Sequence, residues 1–322
     1  IGRNILAAQS LCAVFGAATA PLVYFCADKI YGNRRVSRIS SIAVAVFPAL
    51  VIWSSQLLKD GLIVFLLVLA MIMVMHIQTR LDYSALALLG LSLFGILSLR
   101  FYIFYMVVTA VVGAFFVGVG NSNQSIIRRT IMLLILGVGL TYFGVLRNAS
   151  VNLERYGSLE RIEMSREDLS RSANSGFGSD QNVSTSSGAL LALPVGLVYL
   201  IFAPFPWDGT SFRQAIVIPE TIIWWLFVPV VLWGLIYTVR NRLRNAFPVL
   251  LFTLMLTIAY SIFQGNVGTA YRQRTQIQVF LFIFFAVGVT LILEKRNDKR
   301  EMQRLKNRPI NGREIGSISY LK

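Results

Sequence analysis

Charge-free apolar runs alternate with short polar breaks along most of the chain. Residues 5–27, 39–58, 61–79, 83–99, 101–120, 130–146, 221–239, 246–264 and 276–293 hold no Asp, Glu, Lys or Arg. Each approaches the roughly 20 apolar residues that a helix needs to cross a hydrocarbon core about 30 Å thick. A tenth run, 189–203, has 15 residues and includes Pro194. The runs lack the short alternating pattern of membrane barrel strands, and a helix satisfies its own backbone polar groups in lipid. The pattern predicts an all-α, polytopic transmembrane helical bundle of about nine spanning helices.

Composition agrees with the pattern. The chain is 56% hydrophobic and 14% charged, against about 45–50% and 25% for an average soluble domain. Charge then orients the bundle, because Lys and Arg favour cytoplasmic loops. With Ile1 outside and nine spans, the inner segments are 28–38, 80–82, 121–129, 240–245 and 294–322. They carry 19 of the 30 Lys and Arg and 6 of the 15 acids. If 189–203 also crossed, Arg240, Arg242, Arg244 and the basic tail would move outside and the bias would reverse. That run therefore reads as a re-entrant or interfacial helix entering and leaving on the outer face. Irregular backbone at membrane depth persists only against protein or a water-filled cavity, so the run points to an outer cavity.

Two domains follow: a transmembrane domain over 1–293, with an extracytoplasmic loop at 147–188 inserted, and a basic cytoplasmic tail over 294–322 that reads as disordered. Within the loop, the mixed charges of 151–171 predict a short surface helix. Residues 172–188 are rich in Ser, Gly and Asn and read as a flexible linker. The chain starts at Ile1 without a signal-peptide pattern, and the expectation is that an N-terminal portion precedes it.

The net charge of +15 sits beside membrane helices, so it signals topology and lipid contact and does not point to nucleic acid. Cys12 and Cys26 lie 14 residues apart on one predicted helix, about 21 Å at 1.5 Å per residue, too far to pair. His76 is the single histidine, and no cluster has metal-ligand spacing. No Walker or Rossmann glycine pattern is present. Neither nucleotide hydrolysis nor a cofactor is indicated, with a divalent metal left open.

Four polar groups at outer helix ends carry the candidate chemistry, since charge at membrane depth is costly. The first is Trp53-Ser54-Ser55-Gln56-Leu57-Leu58-Lys59-Asp60, a tight turn with Lys59 and Asp60 at its tip. The competing account is an interfacial Trp with a solvated ion pair. The second is Arg100 with Tyr102 and Tyr105, or else a snorkelling arginine. The third is Pro204-Phe205-Pro206-Trp207-Asp208 followed by Glu220. There a flat ring beside an acid suits a sugar, and an interfacial Trp–Pro anchor is the alternative. The fourth is Gly265 to Gln276, a tight loop holding Asn266 and Tyr271, after which Arg272 and Arg274 enter the last span on the low-charge side. Arginine suits phosphate oxygens; lipid headgroups or an internal ion pair with Asp60, Asp208 or Glu220 are the alternatives.

The stretch LVYFCADKIYGNRRVSRISSIAVAVFPALVIWSSQLLKDGLIVF, with FAPFPW and GNVGTAYRQR, resembles bacterial membrane glycosyltransferases of the GT-C type. That set includes mannosyltransferase-like enzymes and surface-polysaccharide polymerases. The resemblance is one of pattern and order over most of 5–293. It implies a GT-C-like fold in the bacterial inner membrane, a polyprenyl-phosphate-linked sugar donor at the outer face and a glycan acceptor. Arg272, Arg274, Arg100 and Lys59 would take the donor phosphate. Trp207, Asp208, Glu220, Asn266 and Tyr271 would contact sugar or acceptor. In the family the main catalytic acid lies in the first outer loop, which would precede Ile1, and Asp60 is a weak substitute. The alternatives are a transporter or flippase for lipid-linked sugars, or a non-catalytic subunit of a polysaccharide export complex.

Overall fold

The computed structural model describes residues 4–80, 82–117, 123–171, 176–177, 182–207 and 212–306. Among these, helix dominates and the only strand-like feature is a single bridge between Gly176 and Asn266. The helices are α1 (Ile5–Tyr31), α2 (Arg34–Val46), α3 (Pro48–Ser55), α4 (Asp60–Thr79), α5 (Tyr83–Leu99) and α6 (Phe101–Val117). They continue as α7 (Asn123–Tyr142), α8 (Val145–Tyr156), α9 (Leu159–Arg171), α10 (Ser186–Phe202), α11 (Phe212–Asn241), α12 (Leu243–Phe263) and α13 (Val267–Lys306).

Helix ends follow local chemistry. Asn33 stands between α1 and α2 and its Oδ1 accepts from Arg35 N at 2.9 Å, which satisfies an otherwise orphaned donor. Just before it, Gly32 ends α1 at φ 61°, a left-handed conformation that costs glycine least. Asp82 caps α5 through Ser84 N at 2.9 Å. The predicted span 39–58 is broken: Pro48 has no N–H to continue α2, and α2 and α3 meet at 56°. The predicted span 130–146 is also bent, by 74° between α7 and α8. There Gly144 takes φ 70°.

Among the described residues, five helices are long and apolar enough to cross a membrane: α1, α4, α11, α12 and α13. Counting each bent pair as one span makes up to seven. The other two expected spans are α5 and α6, at 17 residues each, the same length as α10. The chain is thus a multi-pass helical membrane protein. α4 and α13 form its centre, with 67% of their apolar windows buried, against 28% for α1 and 22% for α11. Leu6, Phe116 and Leu191 stay more than 70% exposed on the outer flank of the bundle, where lipid rather than water suits them.

Two departures concern the polar segments. The surface helix expected over 151–171 is two helices, α8 and α9, divided at Gly157. The tail expected to lose order after 293 continues the last helix through Lys306.

The bundle has two distinct ends. At one, Tyr31 bonds Thr238 at 2.6 Å and Asn245 Nδ2 donates to Ile30 O at 3.4 Å, joining α1 to the α11–α12 corner. Lys29, His76 and Asp82 form a chain there with steps of 3.0 and 3.1 Å. At the other end meet the start of α4, the α5–α6 junction, the end of α12 and the start of α13. Both ends of α10 return to this second end. Near its start, Ala189 and Ala192 join Val183 in a buried cluster against which Ile262, near the end of α12, packs, and the carbonyls of Ile201 and Ala203 receive Arg274 near the start of α13.

Candidate functional site

The second end of the bundle holds a buried charge cluster. Asp60 occupies the first position of α4, where the positive end of the helix dipole favours a carboxylate. It is only 2% exposed, so it is not the solvated turn tip of the competing sequence account. Arg100 follows the last residue of α5 and is 6% exposed, so it does not snorkel. Its Nη2 donates to Asp60 Oδ1 at 2.7 Å. Its Nη1 donates to the phenol oxygens of Tyr102 at 2.8 Å and Tyr260 at 3.4 Å. Tyr260 in turn donates to Gln276 Oε1 at 2.7 Å, and Gln276 Nε2 approaches Asp60 Oδ1 at 3.4 Å.

Two further cations surround this pair. Arg272 Nε stands 3.4 Å from Asp60 Oδ2, with 30% of its side chain exposed. Lys59 Nζ donates to Leu99 O at 2.9 Å. The Lys59 ammonium is held below the ordinary lysine range, first by burial, then by Arg100, with Arg272 adding and Asp60 opposing. Arg100 and Arg272 thus share the Asp60 carboxylate, with the Lys59 ammonium close enough to feel all three, an excess of positive charge open to solvent along Arg272.

A cavity of about 280 Å³ reaches the same carboxylate. Its wall on α1 is made of small residues, Ala13, Gly16, Ala17 and Ala20, and Trp53, Asp60 and Thr275 stand opposite. The buried Trp53 Nε1 has no hydrogen-bond partner, and its ring meets the Tyr271 ring edge-on at 6.3 Å. The combination is an apolar slot that ends on a charged, polar wall.

Beside it lies a second group. Tyr271 donates to Glu220 Oε2 at 2.9 Å. Arg274 is fully buried, and its Nη1 donates to Ile201 O at 2.8 Å and Ala203 O at 2.9 Å. Its guanidinium carbon is 5.0 Å from the Tyr271 ring centre and 5.9 Å from that of Trp224. Trp224 and Trp225 donate to Ile201 O and Phe202 O, both at 2.9 Å. Four carbonyl contacts therefore pin the C-terminal end of α10, where a cation also suits the helix dipole.

Lys59, Asp60, Arg100 and Arg272 come together in the structure, with Glu220, Tyr271 and Arg274 adjoining. The remaining candidates have other surroundings. Asn266 is engaged at the start of α13, accepting from Gly268 N at 2.8 Å and donating to Leu169 O at 3.4 Å. Trp207 is 72% exposed and stacks on Phe205 at 5.1 Å. Asp208 lies outside the described residues. Tyr260 and Gln276 complete the cluster; Gln276 closed the fourth sequence group without an assigned role, and Tyr260, a phenol near the end of an apolar run, was not singled out. Among the described residues, no three His, Cys, Asp or Glu side chains converge as metal ligands would.

No family model, no curated protein and no solved structure matches this chain.

Proposed function

We propose that the chain is a bacterial inner-membrane glycosyltransferase of GT-C type that takes a sugar from a polyprenyl-phosphate carrier at the outer face. In this reading nine segments span, and α10 is a re-entrant helix whose two ends lie at the outer end of the bundle. The observation that carries the reading is a buried carboxylate paired with two arginines, with Lys59 beside them, next to an apolar slot. Lys59 and Arg272 take the carrier phosphate, and the slot between α1 and α3 takes its first isoprene units. Asp60 and Arg100 position Arg272; Arg274 acts indirectly, by fixing the end of α10. Basic groups placed at the leaving phosphate stabilise the charge that develops as the glycosidic bond breaks. Trp207 and Glu220 remain candidate contacts for sugar or acceptor.

The test is transfer from a radiolabelled polyprenyl-phosphate sugar by the full-length protein in liposomes, with the donor supplied to the outer leaflet. Product that disappears in Arg272→Ala at normal expression supports the reading. Movement of the donor between leaflets without transfer favours the flippase alternative, and neither activity contradicts both.

A further inference from the structure

A second cavity lies on the opposite side of the Asp60–Arg100 pair. It measures about 540 Å³, within the roughly 300–1,000 Å³ usual for small-ligand sites. It is lined by α6, α8, α9, α12 and α13 and opens to solvent beside α9. Tyr102 and Tyr260, the two phenols that hold Arg100 Nη1, form part of its wall. Asp60, held by the other nitrogen of the same guanidinium, lines the slot described above. One arginine and its partners thus form a partition between two cavities.

The chemistry of the second cavity differs from that of the first. Phe101, Tyr102, Tyr105 and Phe263 give it aromatic walls. Its floor holds an amide pair, in which Gln264 Nε2 donates to Gln273 Oε1 at 2.6 Å. Gln264 is 4% exposed, and its Oε1 is buried without a partner. Exchanging the nitrogen and oxygen of both amides leaves the other end of Gln264 unpartnered instead. A buried polar atom in this state calls for a ligand or water. Exposed Arg161 and Ser165 stand at the rim on α9. An acyl chain would fill the volume and leave the amide unsatisfied. A pyranose places apolar C–H faces on aromatic rings and hydroxyls on amides, and satisfies both.

From this we infer that the cavity beside α9 is a saccharide-binding site, holding the glycan acceptor across the Arg100 partition from the lipid carrier. The assignment to an acceptor rests on the transferase reading; the assignment to a saccharide rests on the cavity alone.

The test uses Ser165→Cys in the full chain carrying Cys12→Ser and Cys26→Ser, in lipid nanodiscs. The rate of reaction with a polar maleimide is followed with maltose, lactose or mannobiose present, and separately with octanol. At least one disaccharide should slow labelling threefold or more at position 165, with no effect on Leu57→Cys in the exposed α3–α4 turn. Gln264→Met should remove the protection. If that variant fails to fold, Arg161→Gln at the exposed rim should weaken it instead. Octanol protecting as well as the sugars, or no disaccharide protecting, overturns the inference. Disaccharide protection in a protein without transfer activity would retain the site and remove the transferase reading. Transfer without protection would do the reverse.

Discussion

Arg100 reaches Asp60 across 40 residues of sequence, and its Nη2 meets Oδ1 at 2.7 Å with both side chains closed off from solvent. The pair ties the start of α4 to the α5–α6 junction. Removing Arg100 leaves Asp60 buried with only the longer 3.4 Å contact to Arg272, at a cost of up to about 3–5 kcal/mol. Arg100→Ala is therefore expected to lower the thermal midpoint of the purified protein sharply. Asp60→Asn combined with Arg100→Met should recover much of the loss. Independent, additive effects of the two changes would show that the pair is not coupled.

Arg274 is expected to behave differently from Arg272. Its Nη1 donates to the carbonyls that close α10, so Arg274→Ala should reduce protein yield and transfer in parallel. Fluorescence-detected gel filtration of the tagged variant measures the yield. Normal yield with selective loss of transfer would instead place Arg274 on the substrate.

Close backbone packing offers a test of the fold. A Cβ on Gly234 would collide with the Phe284 carbonyl, and one on Gly288 with the Val230 carbonyl. Small residues at such seams let membrane helices approach. Gly234→Leu or Gly288→Leu should separate α11 from α13 and cost several kcal/mol by the mechanisms of overpacking. A variant that unfolds at the parent's temperature would refute the seam.

At the opposite end of the bundle, Asp82 titrates at about 2, below its ordinary 3.8, because Ser84 and Ala85 bond its carboxylate, with His76 adding. A depressed carboxyl stabilises the fold fully above the unfolded value and loses that contribution as pH falls through the folded one. The gap in thermal midpoint between the parent and Asp82→Ala should be constant from pH 7 to 5. It should narrow from pH 4 towards pH 2. A gap that widens on acidification would contradict this sign.

Sidedness follows from the basic residues. In a background without native cysteines, Ser170→Cys and Gly268→Cys should react with an impermeant thiol reagent in intact cells, and Leu243→Cys should not. The opposite pattern would invert the bundle.

The helices were legible in the sequence because lipid tolerates so few charges that each apolar run announces itself. The bends were less so. The run 39–58 stays apolar through Phe47 and Pro48, and its 56° break depends on the missing proline donor. Lys59, Asp60, Arg100 and Arg272 stood out as charges at the ends of apolar runs. Their pairing did not, since Gln276 and Asp60 are 216 residues apart and only packing decides which helix ends meet. The outer loop misled in a similar way. Its charges predicted a helix but gave no sign that α9 would line a cavity with Tyr102 and Tyr260.

The most direct test of the central claim is sugar transfer by Arg272→Lys. Lysine keeps the charge near Asp60 but loses the forked geometry that suits phosphate. The account predicts normal expression, an unchanged thermal midpoint and transfer reduced tenfold or more, equivalent to about 1.4 kcal/mol. Transfer at the parent rate by this variant, and by Arg272→Ala at normal expression, would contradict it.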